Sequence, residues 1–114
     1  MSTAKAVRTT TRQASRYVKV TMPFKNSNAQ LYSEWRNEMY VVYSYGQHFP
    51  IYIFEPTTRH WFRNEDKYSR TTTTHQNCAH PGTDTYPLST TGMIRLINSG
   101  YEWLVAQRLT GAVL

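Results

Sequence analysis

Two runs, Met39-Tyr-Val-Val-Tyr-Ser-Tyr45 and Ile51-Tyr-Ile-Phe54, flank Gly46-Gln-His-Phe-Pro50, and their reading decides how this chain folds. β-Branched and aromatic residues suit a pleated surface, and the glycine and proline between the runs punctuate a hairpin loop. Side chains alternate along a strand, so Val41, Tyr43 and Tyr45 are expected on one face and Tyr40, Val42 and Ser44 on the other. Downstream, Pro56-Thr-Thr-Arg59 reads as a turn and His60-Trp-Phe62 as a third strand. Upstream, Tyr17 to Met22 alternates as a strand that Pro23 ends, Asn26 to Asn28 is a turn, and Gln30 to Glu38 reads as a short helix carrying Leu31 and Trp35 four residues apart.

The stretch from Arg63 to Pro87 is polar, with Ser69 or Thr71 able to cap a helical turn that ends before Pro81. Ser89-Thr90 then offers the cap of a helix that buries Met93, Ile94 and Ile97 and stops at Gly100, after which Tyr101 to Val105 reads as a closing strand or a further helical turn. Met1 to Ser15 are small, polar or basic and show no hydrophobic period, too little to offset their ordering entropy. The expected fold is therefore α+β. A small antiparallel sheet is centred on the Tyr40 to Phe54 hairpin with one or two helices packed on one face; residues 1–16 form a flexible basic arm and 17–114 a single domain.

The net charge of +6 is unevenly placed. Lys5, Arg8, Arg12, Arg16, Lys19 and Lys25 all precede the first acidic residue, Glu34, and from there on cations and carboxylates balance. A polyanion is drawn first to the N-terminal end. Cys78 is the one cysteine, so no intrachain disulfide forms, which favours a reducing cytoplasm. No apolar run approaches the roughly 18 residues of a membrane span, and the basic N-terminus lacks the apolar core of a signal peptide. Neither export by that route nor membrane insertion is expected.

Tyr40-Val-Val-Tyr-Ser-Tyr-Gly-Gln-His-Phe-Pro50 and Asp66-Lys-Tyr-Ser-Arg-Thr-Thr-Thr-Thr-His-Gln76 resemble segments of a family of small, uncharacterised proteins of bacteriophages and other mobile genetic elements. The resemblance runs from Tyr40 to Gly100 and excludes the arm; Asn77 to Gly82 departs from the pattern. It implies a phage-like setting in the host cytoplasm and carries over no catalytic residue.

Three functional classes fit these residues. The first is a non-enzymatic accessory protein that binds nucleic acid: Arg8, Arg12, Arg16 and Lys19 follow the phosphates, and Tyr43 and Tyr45, with Tyr52 and Trp61, offer a platform for bases. An aromatic face in so small a sheet serves as core more often than as platform. The second is a module that inhibits or modulates a host protein through exposed aromatic and arginine anchors. The third is a nucleotide or phosphate site, or a phosphodiester-cleaving enzyme, in which Lys67, Ser69 and Arg70 hold phosphate and His48 and His75 exchange protons. Hydroxyls that cap turns and solvated charges account for the same residues more simply. His75, Cys78 and His80 with His48 or His60 are zinc donors by type, but no Cys-x-x-Cys supports them. No metal or cofactor is expected, and an exposed sheet edge leaves a homodimer open.

Overall fold

The protein is described here by a computed structural model over residues 6–67 and 69–109, with backbone alone at 107–109. In chain order the elements are β1 (Val7–Arg8), a 3-10 turn (Thr11–Gln13), α1 (Ala14–Val18), β2 (Phe24–Lys25), β3 (Leu31–Arg36), β4 (Met39–Ser44), β5 (Pro50–Glu55), β6 (His60–Asn64), α2 (Arg70–Cys78), β7 (Thr85–Leu88) and α3 (Thr90–Leu109). All seven strands join one sheet in sequence order. β2 to β6 run antiparallel to their neighbours, whereas β1–β2 and β6–β7 are parallel.

A parallel pair needs a crossover, and α1 and α2 supply the two crossovers. Both units advance across the sheet in the same direction with their strands pointing the same way, so right-handed connections put both helices on one face. Ala14 and Val18 of α1 and Ala79, just after α2, indeed share a core with Phe24, Leu31, Tyr40, Val42 and Ile51. α3 covers the opposite face, where Met93, Leu96, Ile97 and Leu104 pack on Met39, Val41, Tyr43, Ile53 and Phe62. The sheet is thus sandwiched, and every residue of β4 is buried.

This corrects the expected small antiparallel sheet with helices on one face. The unbroken apolar run of Met39 to Tyr43 marks a strand buried on both sides, a pattern that alternation alone does not distinguish from a half-exposed one. Nor is the segment before Tyr17 a free arm over its described part: Val7 N–H donates to Pro23 O and Thr9 N–H to Lys25 O, both at 3.0 Å, which zips it onto β2. Ala14 is fully buried. Residues 1–5 lie outside the described residues. The expected strand at Tyr17 to Met22 is the end of α1 and a turn through Thr21 (φ 53), and the expected helix at Gln30 to Glu38 is β3. Leu31 and Trp35 satisfy a period of two as well as one of 3.6, because Ser33 between them also turns inward.

Other expectations hold. β6 contains His60 to Phe62. Ser69 caps α2 by accepting from Thr72 N–H at 3.1 Å, and Ser89 Oγ accepts from Gly92 N–H at the start of α3. The helix breaks at Gly100, whose φ of 74° favours glycine, and resumes beyond it. β7, with Pro87 at the edge, was not foreseen.

Candidate functional site

α2 docks on the sheet through polar groups. Its buried residues are Thr72 and His75, and beneath them lies Ser44 of β4, itself fully buried. Ser44 Oγ sits 2.8 Å from His75 Nδ1 and 3.3 Å from Thr72 Oγ1; Ser69 Oγ donates to Thr72 Oγ1 at 3.2 Å. Burial pushes the His75 pKa down, so the ring is held neutral. Tyr52, raised to about 12 chiefly by burial, stays protonated and donates to Gln76 O at 2.7 Å. Four successive threonines make a poor helix, and this network, more than propensity, holds α2 in place. With Ser44 sealed in the core, the Ser44–His75 contact serves docking rather than nucleophilic chemistry.

The N-terminal cations gather at the β1–β2 end of the sheet. Arg8 lies opposite Lys25 and Lys25 opposite Tyr32, which is opposite Tyr43, so the four form a row on the α3 face. α3 packs over β5, β6 and β7, and Tyr32 and Tyr43 join its core, so Arg8 and Lys25 are the outer members of the row. Arg12 is on the 3-10 turn, Arg16 on α1 and Lys19 at its C-terminal cap; the Lys19 stem passes so close to Gly82 that a β-carbon added there would meet its Cε at 2.8 Å. Arg8, Arg12, Arg16, Lys19 and Lys25 are all exposed. Among the described residues the ion pair is Arg36 with Glu34, at 3.6 Å, and it involves none of these five.

Between the 3-10 turn, the β2–β3 loop and α2 runs a groove of about 510 Å³. Arg12, Asn26, Asn28 and Gln30 line one wall; Arg70, Thr71, Thr74, His75 and Cys78 line the other, and no carboxylate takes part. Asn26 staples the first wall: its Nδ2 donates to Thr11 Oγ1 at 3.0 Å, and its Oδ1 accepts from Gln30 N–H at 3.0 Å and Leu31 N–H at 3.2 Å. Tyr45 stands beside the groove. Its N–H donates to Gln30 O at 2.7 Å, and its ring lies 5.7 Å from that of His75. The backbone there has φ 69°, an uncommon left-handed conformation for an aromatic residue, which swings Tyr45 off the row expected with Tyr43 and over to the α2 side.

Arg12, Arg70 and His75, which the sequence assigns to two different schemes, therefore meet at one groove. The remaining residues of the phosphate scheme do not join them. Ser69 is used as a cap, Lys67 lines a separate cleft with Arg63 and His80, and His48 lines a third with Arg36 and Ile94 on the α3 face. His48 and His75 are on opposite sides of the sheet, so no acid–base pair is assembled. Tyr43, Tyr52 and Trp61 belong to the core, at 1, 3 and 7 % exposure, which leaves Tyr45 as the outward ring of the expected platform. Among the described residues no three His, Cys, Asp or Glu side chains gather as metal ligands; His80 Nδ1 accepts from Gly82 N–H instead. The residues missed by sequence reading, Gln30, Asn26 and Thr71 in the groove and Lys25 and Tyr32 on the sheet face, carry no motif; the charge of Lys25 was the one signal available.

Compared with protein-family models, with curated proteins and with solved structures, the chain matches none. The site is accordingly interpreted from its own chemistry.

Proposed function

We propose that the protein is a non-enzymatic nucleic-acid binder that contacts phosphates through Arg8, Arg12, Arg16, Lys19 and Lys25. The observation that carries this reading is their arrangement: five exposed cations on the N-terminal elements, Arg8 and Lys25 on the α3 face of the β1–β2 edge and Arg12, Arg16 and Lys19 on the 3-10 turn and α1 behind it, none in an ion pair among the described residues. Fixed on β1, α1 and β2, they lose less freedom on binding than the same charges on a free arm, and counterion release supplies affinity without a sequence code. A phage-type setting in a host cytoplasm rests on the resemblance in Tyr40 to Pro50 and Asp66 to Gln76. Among the described residues no helix is long and apolar enough to cross a membrane.

Deleting the N-terminal segment is a poor test, because it would remove β1 and the buried Ala14. Surface substitution is better. Fluorescence anisotropy with short single- and double-stranded oligonucleotides at low salt should show binding by the intact chain that the triple variant R8A/R16A/K25A loses, with an unchanged melting temperature. No binding by the intact chain removes the proposal. The exposed apolar side chains of Val20 and Met22, at 64 and 41 %, favour the second reading, a host-protein modulator. Retention in a host lysate that survives nuclease treatment and is lost in a Val20→Ser, Met22→Ser variant would support it over the first.

A further inference from the structure

The cations of the N-terminal elements stand on two faces of one open edge. Phe24 of β2 turns into the core shared with α1, so Lys25 beside it turns to the opposite face, and Arg8, paired with Lys25, goes with it. Arg12, Arg16 and Lys19 are on the first face, with Arg16 across the α1 helix from the buried Ala14 and Val18. Between the faces runs β1, beyond which no strand pairs among the described residues. Val7 and Thr9 direct their N–H groups to Pro23 O and Lys25 O of the β2 segment, so Arg8 between them turns its own N–H to the open edge. From this placement we infer that the nucleic acid bound is single-stranded and that its backbone crosses the β1 edge, from Lys25 and Arg8 on one face to Arg12, Arg16 and Lys19 on the other. This rests on the nucleic-acid reading and deepens it, by naming the form of the partner and its path.

Stiffness decides between the two forms of nucleic acid. A DNA duplex keeps its direction over about 50 nm. The shortest dimension of the molecule is 24 Å, so a duplex lying against it is straight on that scale and touches one face at a time. Packed layers of secondary structure are about 10 Å apart, more than the Debye length of about 8 Å at physiological salt, so exposed cations on the far face are screened from it. A single strand can turn at each nucleotide, and over β1 it meets both sets of charges. At the crossing stands the outward N–H of Arg8, and backbone N–H groups are regular phosphate donors. Every acidic residue lies at or beyond Glu34, so β1, the 3-10 turn, α1 and β2 place no carboxylate along this path.

Two variants of the full chain separate the faces, R8Q/K25Q and R12Q/R16Q/K19Q, in which glutamine keeps part of each stem and removes the charge. The substituted side chains are exposed, so both variants should melt with the wild type. Fluorescence anisotropy across a salt series, with a labelled single strand of about 16 nucleotides and the duplex of the same sequence, reads the number of phosphate contacts from the slope of log affinity against log salt. On the single strand, at about −0.7 per contact, the intact chain should give about −3.5, R8Q/K25Q about −2.1 and R12Q/R16Q/K19Q about −1.4. On the duplex, at about −0.9 per contact, the face of Arg12, Arg16 and Lys19 alone gives about −2.7, which R8Q/K25Q should leave unchanged. R12Q/R16Q/K19Q should then give about −1.8, the duplex moving to the face of Arg8 and Lys25.

A single-strand slope lowered by both variants, beside a duplex slope that R8Q/K25Q does not move, supports the crossing. A single-strand slope that responds to only one variant places the strand on one face and overturns the inference. A duplex slope near about −4.5 that both variants lower also overturns it, because the duplex then reaches both faces. Either of these results leaves the broader nucleic-acid reading standing. A flat slope for the intact chain on both probes removes that reading and the inference together.

Discussion

Replacing Asn26 with alanine tests whether the groove wall is built as described. Its Oδ1 accepts from the N–H groups of Gln30 and Leu31 and its Nδ2 donates to Thr11 Oγ1, with Asn26 itself only 4 % exposed. Gln30 N–H retains a second acceptor, Asn28 Oδ1 at 3.1 Å, but the Leu31 N–H is buried and loses its side-chain partner. An orphaned buried donor costs about 1–3 kcal/mol and the lost bond to Thr11 about 1 more, so Asn26→Ala should destabilise by about 2–4 kcal/mol. In urea unfolding that moves the midpoint down by about 1–3 M at an unchanged slope. Asn26→Asp keeps both acceptor bonds and gives up only the donor, at a cost of about 1 kcal/mol, yet it places a carboxylate in a groove that has none and should weaken any anion there. A cost below about 0.5 kcal/mol for the alanine variant, or equal costs for the two, would refute the reasoning.

Ser69→Ala removes the α2 cap, which should cost about 1 kcal/mol and lower the melting temperature by about 4–8 °C, with Ser69→Asp near wild type; equal loss in both variants would tell against the cap. Because burial depresses the His75 pKa below its unfolded value of about 6.5, the unfolded chain takes up more protons as pH falls. Stability measured by urea unfolding should therefore decline as pH falls through about 6.5 in the wild type, and less so in His75→Gln. On α3, Leu96→Ala at a fully buried position should cost about 3–5 kcal/mol, and Ile94→Ala at a half-buried one about 1–2, by the same measurement.

Where side chains or backbone types encode an element locally, the sequence was legible. Gly46 and Pro50 frame the β4–β5 loop, Ser69 and Ser89 open their helices, and Gly100 breaks α3. Legibility failed where the code is not local. β1 and β2 are two residues each, too short for any period, and become strands only because they pair with each other and with β3. The β3–β4 turn uses Asn37 and Glu38 at φ 50 and 64 rather than glycine, so Gln30 to Glu38 gave no turn signal and its spacing passed for a helix. α2 buries a threonine and a histidine, the opposite of an amphipathic stripe. The groove itself needs Arg12 and Arg70, brought together only when α1 and α2 share a face of the sheet, and no spacing along the chain announces that.

The central claim is that the β1–β2 end is a phosphate-binding surface, and the salt dependence of single-stranded oligonucleotide affinity measures it most directly. Five phosphate contacts predict a slope of log affinity against log salt of about −3.5, and R8A/R16A/K25A should reduce it to about −1.4, since each contact contributes about −0.7. A slope near zero, or a steep one that the triple variant leaves unchanged, would contradict the account.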